Sequence, residues 1–241
     1  MYGIGIDPLY VALSLPGMLL GMYAQWRVSR AFSHYSNVST QRGLSGAETA
    51  DAILRASGVS GVRIEGVRGF LSDHYDPSSR TLRLSPDVYD GRSIAAAGVA
   101  AHEVGHALQH ADGYAFLRVR TALVPVLSVT STLAMPLVMI GFLLAGAGAL
   151  GLGMLAIKAG AILFTGVVAF QLVTLPVEFD ASRRALAVLV EHRLLSPDEQ
   201  RGAREVLSAA ALTYVAAAVA AAMQLVWFLM RAGLLGRRRD D

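Results

Sequence analysis

Residues 121–175 are almost continuously apolar, with Lys158 their sole charge. A single helix of these 55 residues would reach about 80 Å, against about 30 Å for the hydrocarbon core of a bilayer. The run must therefore fold back on itself. The stretch Gly146-Ala147-Gly148-Ala149-Leu150-Gly151-Leu152-Gly153 is the natural place for the turn. Composition agrees with a membrane setting: 54% of the chain is hydrophobic and 16% charged, where soluble domains carry about 25% charged residues.

Two further apolar runs flank this hairpin. Leu9 to Trp26 has the length of a short membrane helix, with Tyr10, Tyr23 and Trp26 suited to interfaces and Gly17 and Gly21 able to seat another helix. No basic residue precedes it and no Ala-x-Ala pattern follows, so it reads as a retained span rather than a cleaved signal. Leu207 to Met230 contains no charged residue and ends in an aromatic cluster. The expected layout is a mainly α integral membrane protein with about four transmembrane helices, at 9–26, 121–145, 155–175 and 207–230. A small α+β domain is assembled from residues 31–118 and 176–206, and a flexible tail covers 231–241.

The polar segments carry local signals. Ser45 and Glu48 form a capping box opening a short helix that stops at Gly58. Val62-Arg63-Ile64-Glu65 and Thr81-Leu82-Arg83-Leu84 read as strands of a hairpin or small sheet, with Asp76-Pro77-Ser78-Ser79 as a turn. Ser93 caps an Ala-rich helix from about Ile94 through His110. Ser196-Pro197-Asp198-Glu199 opens another helix, with Pro at its first position and acids in its first turn.

That Ala-rich helix contains His102-Glu103-Val104-Gly105-His106. Histidines four residues apart leave one face of a helix and can share a metal ion, while Glu103 beside them can take a proton from water. The chain has no cysteine, which excludes disulfides and thiolate metal sites, so the ligands of one Zn²⁺ ion must be His, Asp or Glu. The competing reading makes His102 and His106 ordinary core histidines.

A third ligand is required. His110 continues the series by spacing, but a straight helix does not easily bring three successive turns onto one tetrahedral ion. Glu178 is preferred, because most of the 71 residues between His106 and Glu178 form the apolar hairpin, which returns the chain to where it left. Asp180, Asp112, Asp73 and Asp76 are candidates to hold a ligating histidine by its outer N–H, with Asp180 first by its nearness to Glu178. His74 or Tyr75, and secondarily Arg183 or Arg184, are candidates for stabilising a developing oxyanion. The strand near 81–84 is a candidate for pairing with an extended peptide.

The stretches Leu71-Ser72-Asp73-His74-Tyr75-Asp76-Pro77, Val99 through Gln109 and Leu175 through Ala185 resemble the signature blocks of the bacterial membrane-bound neutral zinc metallopeptidases labelled YugP-like. With the apolar segments, the likeness covers nearly the whole chain. That family is similar in layout to HtpX-type proteases, whose zinc domain faces the cytoplasm. The resemblance implies His102, His106 and Glu178 as ligands and Glu103 as general base. One departure is visible: the broader pattern often has an aspartate four residues beyond the ligand glutamate, where this chain has Ser182.

The expectation is a zinc-dependent endopeptidase of the bacterial cytoplasmic membrane, acting on unfolded or membrane-proximal polypeptides. Alternatives are another zinc amide hydrolase and a non-catalytic zinc-binding scaffold. Arginines at 27, 30, 118, 120, 183, 184, 201 and 204 favour the site's side as cytoplasmic, and the tail arginines count against it. A formal charge of +3 gives no case for nucleic acid.

Overall fold

The computed structural model describes residues 7–69 and 71–235. Seven helices and three strands follow in the order α1 (Pro8–Ser36), α2 (Gly46–Ala56), β1 (Arg63–Gly66), β2 (His74–Asp76), β3 (Thr81–Leu84), α3 (Pro86–Tyr89), α4 (Ile94–Ala111), α5 (Ala115–Gly146), α6 (Leu150–Glu191) and α7 (Pro197–Arg231). Two compact units divide the chain. One runs through Met1–Tyr23, Val119–Thr174 and Tyr214–Asp241, the other through Ala24–Arg118 and Leu175–Thr213.

The first unit is helical. Among the described residues, three helices are long and apolar enough to cross a membrane by length and composition: α5, α6 and α7. The expected count of four is corrected to three. The first apolar run does form a helix, but Ser14, Pro16, Gln25, its glycines and its tyrosines dilute the apolar content of α1. The turn falls within the Gly-rich stretch, at Ala147–Ala149, where Gly148 adopts φ +89°, a conformation open to glycine at little cost. Lys158 lies inside α6.

Small residues let the helices of this unit approach closely. A Cβ on Gly153 would stand 2.6 Å from the Gly141 carbonyl oxygen, and one on Gly160 would stand 2.8 Å from that of Ala134. Gly17 packs against the Ala220 backbone, whereas Gly21 meets nothing within 4 Å. Val138, Ala161 and Phe228 are buried together. Leu143, Leu152, Leu155 and Ile162 are left uncovered, with Leu143 70% exposed. Apolar surface on this scale marks a contact face, here for lipid. Asp7 accepts hydrogen bonds from Trp227 and Arg231, so Arg231, the first residue of the expected flexible tail, belongs to α7 and is held. Residues 236–241 lie outside the described residues.

The second unit is mixed α and β. Ser45 and Glu48 form the reciprocal capping box of α2, and Ser93 caps α4 through the Ala96 N–H. Glu199 accepts from the Ser196 N–H at the start of α7. The sheet has the order β1-β3-β2. β1 runs parallel to β3, with Arg63 opposite Thr81, and β2 runs antiparallel, with Tyr75 opposite Leu82. Of the expected hairpin or small sheet, it is the small sheet that forms, and residues 62–65 and 81–84 pair in parallel rather than as a hairpin. Residues 74–76, expected in a connection, form the strand that turns back into β3 through Asp76–Arg80. β3 is central and has no free edge, which overturns its expected role in pairing with a peptide. β2 is an edge.

The core of this unit gathers Ile53, Leu82, Leu84, Val88, Val104 and Leu189. α4 lies at its centre, with most of its residues buried. The first polar stretch of the α6 sequence continues the same helix through Pro176 to Glu191, so residues 175–191 reach this core as helix.

Candidate metal centre

The site begins with helical spacing. His102 and His106 project from neighbouring turns of α4, with ring centroids 4.9 Å apart. Glu178 comes from α6. Its Oε2 stands 3.2 Å from His102 Nε2 and 3.6 Å from His106 Nε2. Glu178 and His106 are buried and His102 is partly so.

Gly105 makes this convergence possible. A Cβ there would stand 2.4 Å from the Ala181 carbonyl oxygen and 3.1 Å from its Cα, so only a bare backbone lets α4 and α6 meet at this level. Ala181 lies one turn beyond Glu178, and Gly105 adjoins His106. The glycine in the motif thus sets the distance between the two helices that carry the donors.

Two nitrogens and a carboxylate oxygen, with one atom from each residue, lie within 4.8 Å of one another. Donors bound to tetrahedral zinc at ~2.0–2.1 Å stand ~3.3 Å apart. The separations of 3.2 and 3.6 Å bracket that value. His₂Glu is a donor set that zinc takes in catalytic sites, where the fourth position is left open. The residues fit a single zinc ion.

A family model described as "Putative neutral zinc metallopeptidase" matches residues 10–233. The chain belongs to that family. It is also 46% identical over 222 residues to "Putative membrane protease YugP" of Bacillus subtilis (strain 168), an alignment covering 92% of this chain and 96% of that protein. No solved structure matches. This member of the zinc metallopeptidase family is a bacterial membrane protein whose sequence carries several helices able to cross a bilayer.

Around the metallopeptidase cluster, the outer faces of the two histidines are held differently. His102 Nδ1 lies 3.0 Å from Ser182 Oγ. His106 Nδ1 lies 3.1 Å from Gln109 Oε1. Ser182 stands four residues beyond Glu178 in the sequence, and its hydroxyl meets the outer nitrogen of His102. Gln109 was not singled out in the sequence. Its spacing of three from His106, on the same helical face, was the available signal.

The four aspartates considered for this task have other partners. Asp180 accepts from Gln109 Nε2 at 2.9 Å and from Arg183 and Arg184. It reaches His106 only through the glutamine. Asp112 pairs with Arg184 at the end of α4. Asp73 accepts from the Ser85 N–H and Oγ–H. Asp76 accepts from Ser78 N–H and Ser79 Oγ–H, and these bonds lower its carboxyl to about 2, as befits a turn residue. Arg183 and Arg184, paired with Asp180, are not positioned as free oxyanion stabilisers.

His110 is not in the donor cluster. Its Nδ1 lies 2.8 Å from the Tyr75 hydroxyl, and the two rings are 5.9 Å apart. A helix advances by about 100° per residue, so a third turn carries the ring away from the ion. Tyr75 is buried, its hydroxyl committed to His110. His74 points to the other face of β2 and is exposed, with Nδ1 2.8 Å from the Ser72 carbonyl oxygen.

Glu103 is buried in α4. Burial pushes its carboxyl up to about 7, with the negative charges of Glu178 and Asp73 adding to the rise and His102 and His74 opposing it. Its place beside the donor cluster puts a carboxyl where it can take and return a proton.

Proposed function

We propose that the protein is a zinc-dependent endopeptidase in which His102, His106 and Glu178 hold one zinc ion and Glu103 is the general base. The observation that carries this reading is the convergence of the three donors beside the buried Glu103. Similarity to the Bacillus subtilis "Putative membrane protease YugP" supports the same reaction class.

When bound, zinc supplies a Lewis acid and lowers the pKa of its water to ~7. Glu103 takes the proton from the attacking water and delivers it to the amine that leaves. Peptide hydrolysis requires both transfers, and one carboxyl group can serve each in turn. His74 is the candidate for stabilising the oxyanion. Its Nδ1 lies 2.8 Å from the Ser72 carbonyl oxygen and its Nε2 lies 3.5 Å from Arg83 Nη1.

The substrate class is polypeptide, unfolded or close to the membrane. The free edge of β2 offers an extended chain backbone partners next to His74. We place the site on the cytoplasmic side, following the arginines near the helix ends. A scaffold that used zinc only for structure would not need a buried base. Another zinc amide hydrolase would use the same four residues and differ in its substrate.

The test compares purified protein with Glu103→Gln in detergent, each loaded with zinc, on an unfolded protein substrate. Cleavage by the wild type and its loss in the variant are expected. Equal cleavage by both would remove Glu103 from the mechanism.

A further inference from the structure

Gln109 is fully buried, and its amide makes three hydrogen bonds. Nε2 donates to the Val177 carbonyl oxygen at 2.8 Å and to Asp180 Oδ2 at 2.9 Å. A carbonyl can only accept. Asp180 is likewise an acceptor, since Arg183 and Arg184 donate to the same carboxylate. These two acceptors use both N–H groups of the amide and fix which way it points. Oε1 is left facing His106 Nδ1 at 3.1 Å, and an amide oxygen can only accept. Nδ1 must then carry the proton, and Nε2 presents its lone pair toward Glu178.

His102 is under no such constraint. Its outer partner is the Ser182 hydroxyl, which can donate or accept. Its Nε2 is 3.2 Å from Glu178 Oε2, within hydrogen-bonding reach, whereas His106 Nε2 is 3.6 Å away, beyond it. The two histidines of one motif therefore differ. One is free to change tautomer and the other is held.

We infer that Gln109 is a positioning residue that locks His106 in its metal-accepting tautomer, and that Asp180 acts on the site through Gln109 rather than by touching a histidine. This rests on the zinc reading proposed above. The chain of bonds runs from the arginines to Asp180, then Gln109, then His106 Nδ1. It converts a fixed negative charge into a fixed ring proton one residue further on.

Two measurements test it. The first is nitrogen-15 NMR of the histidine rings in metal-free wild-type protein in detergent at pH 8. His106 is expected with its proton on Nδ1. A ring protonated on Nε2 alone overturns the inference, whatever the variants do.

The second is zinc affinity, measured by competition with a chromophoric chelator. Gln109→Met keeps the volume and removes the amide, and should weaken zinc binding ~10–100-fold. Asp180→Asn should weaken it too, because an asparagine amide no longer forces the orientation of Gln109. The double variant should bind no more weakly than Gln109→Met alone. Wild-type affinity in Gln109→Met, or losses that simply add, would overturn the relay. A wild-type protein that binds no zinc would instead overturn the metal reading itself, and this inference with it.

Discussion

The backbone of Gly105 lies against the backbone of Ala181, so close that a methyl group on the glycine would stand 2.4 Å from the alanine's carbonyl oxygen. Relief requires α4 and α6 to separate. Gly105→Ala is expected to destabilise the protein by about 1–3 kcal/mol, the usual cost of overpacking, and to weaken zinc binding because Glu178 moves with α6. Gly98→Ala is the matched control. There the new Cβ would stand 3.4 Å from the Ala203 Cβ and 3.5 Å from its Cα, ordinary van der Waals contact, and little change in either quantity is expected. Thermal melts and chelator competition on both variants check this.

Glu178→Ala should reduce zinc affinity by more than the ~10–100-fold expected for losing an outer partner of a ligand. Metal content after dialysis distinguishes the two classes directly. Retention of stoichiometric zinc by Glu178→Ala would exclude it as a ligand.

Glu103→Gln should lower turnover by ~10²–10⁴ while zinc content stays at the wild-type level. The separation of these two readouts is what distinguishes a base from a ligand.

The same substitution has a signature in the metal-free protein. Burial raises the Glu103 carboxyl from an ordinary 4.5 to about 7. A raised folded-state value means stability is fully present below pH 4.5 and is lost as pH rises through about 7, because the unfolded chain ionises first. The loss is on the order of a few kcal/mol, at ~1.4 kcal/mol per unit. Metal-free Glu103→Gln should therefore melt higher than wild type at pH 8, with the difference vanishing near pH 4. An advantage that is independent of pH would contradict the burial account.

His74 and Tyr75 are neighbours on β2 but face opposite ways, and their variants should separate accordingly. His74→Ala should lower kcat by ~10²–10³ with the melting temperature nearly unchanged. Tyr75→Phe should cost about 1 kcal/mol of stability through the lost bond to His110, with kcat close to wild type.

Much of this site can be read from the sequence because its cues are local. The 102–106 spacing, the Ser93 cap and the Ser45–Glu48 box depend only on residues within one or two turns. Glu178 was reachable through topology, since an apolar hairpin must return the chain to its starting side. The rest depends on contacts distant in sequence. That Ser182 would take the outer nitrogen of His102 depends on the register of α6 against α4, which Gly105 sets. That Asp180 would act through Gln109 depends on the same register. The parallel pairing of β1 with β3 was hidden because each strand alone reads equally well as half of a hairpin. The first apolar run has the length of a span, whereas Pro16, Ser14 and its glycines decide how it compares with the other three.

The order of the donors along the chain has a consequence for biosynthesis. His102 and His106 are translated first, and Glu178 follows only after the whole apolar hairpin, with 71 residues between His106 and Glu178. A growing polypeptide that has not yet finished α6 possesses two of the three donors and lacks the helix that Gly105 packs against. Such a nascent chain cannot bring the three donors together, so the cluster of His102, His106 and Glu178 can form only once the hairpin has been made.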